Sequence, residues 1–215
     1  MTQTEAQKRA ALVTACRQMN AIGINTGASG NISVRHAPAL LISPTSLAYD
    51  EMTPEDVVLL RMNGHAEGRH APSSEWRFHR DIMAARAEVG AVVHCHPPHA
   101  TALSMLRRDI PAVHYMIAVA GGADIRCAPY ATYGTEELSA HALKALEGRT
   151  ACLLAHHGLI AVGPDLATAM WLAEEVEALA RQYLMALQVA EPPRLTQAQI
   201  NETLAKLNEG YGQLG

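Results

Sequence analysis

The sequence predicts an α/β fold, a single domain in which helices cover one sheet. Three observations predict it. Strand-like apolar runs and helix-period segments interleave along all 215 residues, a length that suits one globular domain. No internal repeat, low-complexity tract or linker interrupts them before Pro192. Tight turns such as Asn63-Gly64 call for some antiparallel pairing, so the sheet need not be a doubly wound parallel one.

Each element carries its own signal. Leu12, Val13, Cys16 and Met19 recur at helical spacing across 5–22, and Gly23 ends that helix. The stretch Gly27-Ala28-Ser29-Gly30-Asn31 leads into a strand at 32–35. A short apolar run at 40–42 precedes Ser43-Pro44-Thr45-Ser46, a turn with three hydroxyls. Residues 57–62 read as a strand closed by the Asn63-Gly64 hairpin turn. Ser73-Ser74-Glu75 opens a helix running to about residue 87. The β-branched run 89–95 reads as a buried strand; Pro97-Pro98 stops it, and a helix follows over 98–107. Residues 113–119 read as a strand, 135–146 as a helix and 150–155 as a strand. A long amphipathic helix spans 166–189, and the tail 192–215 holds one more at 196–207.

Composition narrows the function classes. With 49% hydrophobic and 18% charged residues, wholesale disorder is excluded. A net charge of −4 advertises neither a nucleic-acid nor a membrane partner. The uncharged stretch 89–106 contains His94, His96, His99 and Pro97-Pro98, which lipid would penalise. The polar N-terminus shows no signal peptide, and Cys16, Cys95, Cys127 and Cys152 form no CxxC pair. Both features predict a cytoplasmic protein with reduced, mostly buried thiols.

Chemistry concentrates in the histidines. His94 and His96 flank Cys95 at the end of an apolar strand, and the strand period puts both imidazoles on one face. They either share a metal ion with a third ligand from elsewhere or simply meet solvent or a carbonyl. His156-His157-Gly158 follows the strand 150–155 and suits either a cleft or a plain polar exit with a glycine turn. Glu75 is either a first-turn carboxylate favoured by the helix dipole, behind a serine cap, or a metal-adjacent acid/base. Ser29-Gly30-Asn31 and Thr45-Ser46 offer hydroxyls and backbone amides of the kind that hold phosphate. No GxxxxGK[ST] or GxGxxG pattern supports nucleotide binding. Glu174, Glu175 and Glu177 read as a solvated helix face, and Met52, Met105, Met116 and Met170 as core filler.

Taken in order, several long motifs resemble the class II aldolase/adducin family, and within it the branch that cleaves L-fuculose 1-phosphate. They are GASGNISVR at 27–35, PSSEWRFH at 72–79, AVVHCH at 91–96, IPAVHYMI at 110–117, CAPYAT at 127–132 and HHGLIA at 156–161. The resemblance covers about residue 5 to Tyr211. It implies a three-layer α/β/α fold around a mainly antiparallel sheet, and a homotetramer with sites at subunit interfaces. It implies zinc, with cobalt or manganese as substitutes, held by His94, His96 and His157 with Glu75 beside them. Glu75 would fill the open metal position at rest and act as acid/base in turnover. Gly30, Asn31, Thr45, Ser46, Ser73 and Ser74 match positions that hold the substrate phosphate. Tyr115 matches a catalytic tyrosine donated by a neighbouring subunit. Tyr211, in the tail 192–215, matches one that covers the site, and Tyr133 stands at the aldehyde end in place of a phenylalanine. Ser46 replaces a turn glycine, and Ala28 replaces a hydroxyl residue.

The implied activity is retro-aldol cleavage of a ketose 1-phosphate to dihydroxyacetone phosphate and an aldehyde such as L-lactaldehyde. A 5-deoxy- or 5-methylthio-pentulose 1-phosphate is the alternative substrate. A pentulose-phosphate 4-epimerase would carry Asp where Glu75 stands. An adducin-like binding protein would lack the histidines, and a zinc hydrolase would leave the phosphate-type loops unexplained.

Overall fold

Residues 91–95 set the frame, because every side chain in the run is buried and alternate ones enter different cores. The computed structural model describes residues 3–209. Nine strands form one sheet: β1 (Asn31–His36), β2 (Ala39–Ile42), β3 (Val58–Arg61), β4 (Ala66–Glu67), β5 (Ala91–Cys95), β6 (Ile110–Pro111), β7 (Asp124–Ala128), β8 (Ala151–Leu154) and β9 (Gly158–Gly163). Their order is β4-β3-β2-β1-β5-β9-β8-β7-β6. Each neighbouring pair is antiparallel except β7 with β8.

Helices α1 (Glu5–Ala21), α2 (Trp76–Ala85), α3 (Pro98–Met105), α4 (Glu136–Ala145), α5 (Leu166–Leu187) and α6 (Gln197–Asn208) cover both faces. On one face Ala91, Val93 and Cys95 of β5 share a core with Leu12 of α1 and Leu172 of α5. On the other, Val92 shares a core with Phe78 of α2 and Leu138 of α4. Each large apolar side chain so buried contributes about 1.5–3 kcal/mol, so mostly aliphatic cores with few aromatics hold the three layers together. The predicted α/β/α architecture is present, with the single parallel pair making the sheet mixed.

Four expectations are corrected. Residues 113–119 are not a strand; a 3-10 helix at Tyr115–Ala120 replaces it, begun by the His114 side chain accepting from Met116 N. Ile117 and Ala120 are buried there, and α6 packs on the turn, so tertiary packing overrides the β-branched pattern. Four strands were missed: the two-residue β4 and β6, β7 with Arg126 at its centre, and β9, which opens on Gly158 directly after the histidine turn. Met105, read as core, ends α3 with 56% of its surface exposed. Glu177 does not belong to a solvated face. α3 begins Pro97-Pro98 with no side-chain cap of its own, so its first amides need an outside acceptor. Glu177 supplies it, accepting from His99 N at 3.0 Å, Ala100 N at 2.9 Å and His99 Nδ1 at 2.6 Å.

Three of the four cysteines are buried and Cys127 is partly so; burial pushes the Cys127 thiol up to about 11. Among the described residues no helix is long and apolar enough to cross a membrane.

Candidate active site

The imidazoles converge where β5 and β9 meet. His94, fully buried, points to the α2 side of the sheet, and His96 follows just beyond the strand end. His157 comes from the turn between β8 and β9, after His156 in the left-handed region at φ 58°. Gly158 makes the approach possible: a Cβ there would lie 2.5 Å from Cys95 O and 2.6 Å from His96 Cδ2. One ring nitrogen from each of the three histidines lies within 4.8 Å of the others. His94 Nδ1 donates to Leu159 O at 2.8 Å, which aims Nε2 at the centre.

Glu75 closes the group. It is the N-cap residue of α2 rather than a first-turn residue, and its side chain makes no capping bond. It is only 4% exposed. Oε2 accepts from Asn31 Nδ2 at 3.0 Å and lies 3.1 Å from His94 Nε2. Oε1 lies 3.4 Å from His157 Nε2 and has no hydrogen-bond partner, a costly state for a buried carboxylate oxygen.

The electrostatics suit a cation. Burial works against ionising Glu75, but the facing His94 and His157 outweigh it and hold its carboxyl well below the usual range. Burial likewise opposes charge on His94, yet the Glu75 carboxylate wins and raises that imidazole. Burial and then the neighbouring positive charge lower His96 to about 3 and His157 to about 4, so both keep bare lone pairs at neutral pH. Three imidazoles with an unsatisfied buried carboxylate oxygen among them form a donor set that fits a divalent metal ion.

Above this centre lies a cavity of about 370 Å³. Glu75, His96 and His157 line its buried end; Gly30, Thr45, Ser46, Ser73 and Ser74 line one side. Loops 43–46 and 71–75 are stitched together by Thr45 N donating to Ala71 O at 3.1 Å and Ser73 N to Ser43 O at 3.0 Å. Ser46 sits at φ 57°, the left-handed backbone that a glycine takes without strain. Gly30 must lack a side chain, since a Cβ would lie 2.7 Å from His94 O. Tyr130, Tyr133 and His156 also line the cavity, with both tyrosines exposed. A larger groove, about 1000 Å³, runs between α1 and α5 around Lys8 and Trp171 and holds none of these residues.

Not every expected residue comes together. Asn31 reaches the cavity, but its side chain is buried against Glu75 rather than open among the hydroxyls. Tyr115 is 45% exposed in the 3-10 turn, beside His114, and is not among the residues of this chain that line the cavity. Tyr211 lies outside the described residues. The tail before it is anchored by Leu195 N donating to Ala112 O at 2.7 Å, which docks α6 against the turn carrying Tyr115. Sequence reasoning missed Tyr130 and His156 on the rim and His79 behind the centre. For His79 a signal existed: it stands four residues after Glu75, one helical turn away.

A mixed sheet between helix layers, with a three-histidine, one-glutamate centre at a strand end, defines a class of protein. The Class II Aldolase and Adducin N-terminal domain matches residues 10–184, and the chain belongs to that family. Two similar curated proteins are named as aldolases. Over 204 residues it is 53% identical to the 5-methylthioribulose-1-phosphate/5-deoxyribulose-1-phosphate aldolase of Rhodospirillum rubrum, covering 95% of this chain and 92% of that protein. Over 202 residues it is 48% identical to the L-fuculose phosphate aldolase of Escherichia coli K12, covering 94% of each. Its fold superposes on a solved L-fuculose 1-phosphate aldolase with a TM-score of 0.91 at 37% identity, covering 97% of this chain and 98% of that one. The chain is a class II aldolase, an aldehyde-lyase.

Proposed function

We propose that this aldolase is zinc-dependent and cleaves L-fuculose 1-phosphate, or a close ketose 1-phosphate, to dihydroxyacetone phosphate and a short aldehyde such as L-lactaldehyde. The observation that carries the reading is one cavity with a metal-ligating buried end and a hydroxyl-lined side. His94, His96 and His157 would hold the metal, with Glu75 as fourth ligand until substrate arrives. Imidazoles favour zinc, and cobalt or manganese would substitute. When bound, zinc supplies Lewis-acid polarisation of the ketose carbonyl and stabilises the charge that C–C cleavage leaves behind.

The chain's own residues do the rest. Hydroxyls of Thr45, Ser46, Ser73 and Ser74, the approach left open by Gly30, and the amides at the start of α2 receive the phosphate. Asn31 enters this account through Glu75. In the synthetic direction ionised Glu75 removes the proton from the carbinol carbon of dihydroxyacetone phosphate. Tyr115 of the partner subunit then protonates the aldehyde oxygen, and cleavage runs both transfers in reverse. That role requires a homotetramer or another assembly that brings the turn of one copy to the cavity of the next. Tyr211 would cover the site, as the resemblance implies.

A second reading takes 5-deoxyribulose or 5-methylthioribulose 1-phosphate as substrate. The 53% identity with the Rhodospirillum rubrum enzyme favours it, and the exposed Tyr130 and Tyr133 suit a deoxy or thioether tail. All these substrates share the dihydroxyacetone phosphate half, which is the half the buried end and hydroxyl side would hold. The test strips the protein of metal, restores zinc, and follows dihydroxyacetone phosphate released from each sugar. Zinc-dependent release is expected and its relative kcat/KM ranks the substrates; no release from any ketose 1-phosphate by the zinc-loaded protein defeats the reading.

A further inference from the structure

We propose that His79 is a positioning residue: acting through Asn31, it fixes which oxygen of Glu75 is tied up and which is left for proton transfer. The inference deepens the reading of Glu75 as acid/base and rests on it.

Four buried side chains form one line behind the metal centre. Ser33 Oγ lies 2.7 Å from His79 Nδ1, His79 Nε2 lies 2.6 Å from Asn31 Oδ1, and Asn31 Nδ2 lies 3.0 Å from Glu75 Oε2. Ser33 and His79 are fully buried and Asn31 nearly so, leaving water no part in the line. Donor chemistry gives it a single direction. An ionised carboxylate only accepts, so the Asn31 amide must turn its NH2 to Glu75 and its carbonyl to His79. That carbonyl also only accepts, so His79 carries its proton on Nε2, and bare Nδ1 takes the Ser33 hydroxyl proton as a hydrogen bond. Burial, and then the positive charge of His94, lower His79 to about 3, so the ring stays neutral and a single tautomer.

The parts come from two elements whose geometry leaves little slack. Asn31 and Ser33 are two apart on β1 and so share one face of the strand. His79 is one turn after Glu75 on α2, held by its stack on Phe78 at 4.6 Å between centroids. Without the Nε2 proton the Asn31 carbonyl would lose its buried donor, leaving the carboxylate alone to hold the amide, and a flipped amide would set its carbonyl against the carboxylate. With it, Oε2 is held and Oε1, the oxygen without a hydrogen-bond partner, is the one that gives and takes the substrate proton.

The experiment combines nitrogen NMR with kinetics. In the metal-free protein labelled with ¹⁵N-histidine, the His79 ring, assigned by its loss in His79→Gln, is expected as the Nε2-protonated tautomer. An Nδ1-protonated or charged ring overturns the proposal. His79→Leu is expected to lower kcat about tenfold to a hundredfold with KM within about twofold of the parent and zinc content unchanged. His79→Gln keeps a donor for Asn31 and is expected to recover most of that loss. Wild-type kcat in the leucine variant, or a glutamine variant no better than leucine, overturns it. Should the leucine variant fail to fold, His79→Phe takes its place with the same loss of kcat at unchanged zinc content expected, and wild-type kcat in that variant would overturn the link. An Nε2-protonated ring in a protein without aldol cleavage defeats the functional reading and the catalytic part of this one. An Nδ1-protonated ring in an active aldolase defeats only the link.

Discussion

The two ends of the cavity are built on different terms. At the buried end His94 bonds to Leu159 O, Glu75 bonds to Asn31, and Asn31 bonds to His79, so each side chain is placed by this chain alone. At the rim, Thr45 Oγ1 and Ser46 Oγ sit 3.4 Å apart and exposed, while Tyr130 and Tyr133 face solvent. A buried polar group left unpaired is expensive, so its geometry is over-determined, whereas an exposed hydroxyl is satisfied by water until a ligand displaces it. The buried end therefore arrives prepared for chemistry, and the rim waits for a substrate.

Substitutions at the two ends should separate cleanly in kinetics. The largest effect is expected for Glu75→Gln, which keeps the shape and removes the acid/base: kcat for aldol cleavage should fall by about 10²–10⁴-fold with zinc still bound. Metal analysis alongside steady-state rates checks this, and full activity with zinc retained would mean that proton transfer lies elsewhere. Ser73→Ala at the phosphate side should instead raise KM about tenfold or more while kcat falls less, since a hydrogen bond to a charged group contributes about 1.5–3 kcal/mol. Equal losses in kcat and kcat/KM would erase the distinction between the two ends.

The smallest effect is on stability, and it belongs to the buried end. His79, His96 and His157 are held near 3 to 4 in the folded chain, well below the ordinary imidazole value of about 6.5. Below that value the unfolded chain binds protons that the folded chain refuses, so stability falls as pH drops from about 6.5 toward 4. Melting of the metal-free protein should show that slope, shallower in His79→Gln. A pH-independent melting temperature over this range would mean that the imidazoles are not held neutral.

The buried end was also the part most legible in the sequence. The period of two announced that His94 and His96 share a face, and two strand ends carrying histidine announced a shared cleft. Glu75 was legible as a carboxylate at a helix mouth, although it occupies the cap position itself. What stayed hidden depended on distant partners. Glu177 looked like one of three solvated glutamates because nothing in its helix reveals that α3, 78 residues earlier, lacks a cap of its own. The run 113–119 has strand composition, yet α6 packs on it as a 3-10 turn. The resemblance places Asn31 among the phosphate positions, and only the tertiary structure reveals that its side-chain amide also turns toward Glu75. His79 stood in plain view one turn from Glu75, but an isolated buried histidine takes its meaning from what touches it.

Strand registration gives the centre a further property. Asn31 pairs with His94 across β1 and β5, and Cys95 pairs with Leu159 across β5 and β9. A slip of β5 by one residue would send both imidazoles into the layer of α1 and α5 and bring the Cys95 thiol round in their place. Misfolding and loss of function are then one event, and metal uptake would be a direct gauge of whether three strands, separated by up to 127 residues from Asn31 to Gly158, have found their proper alignment.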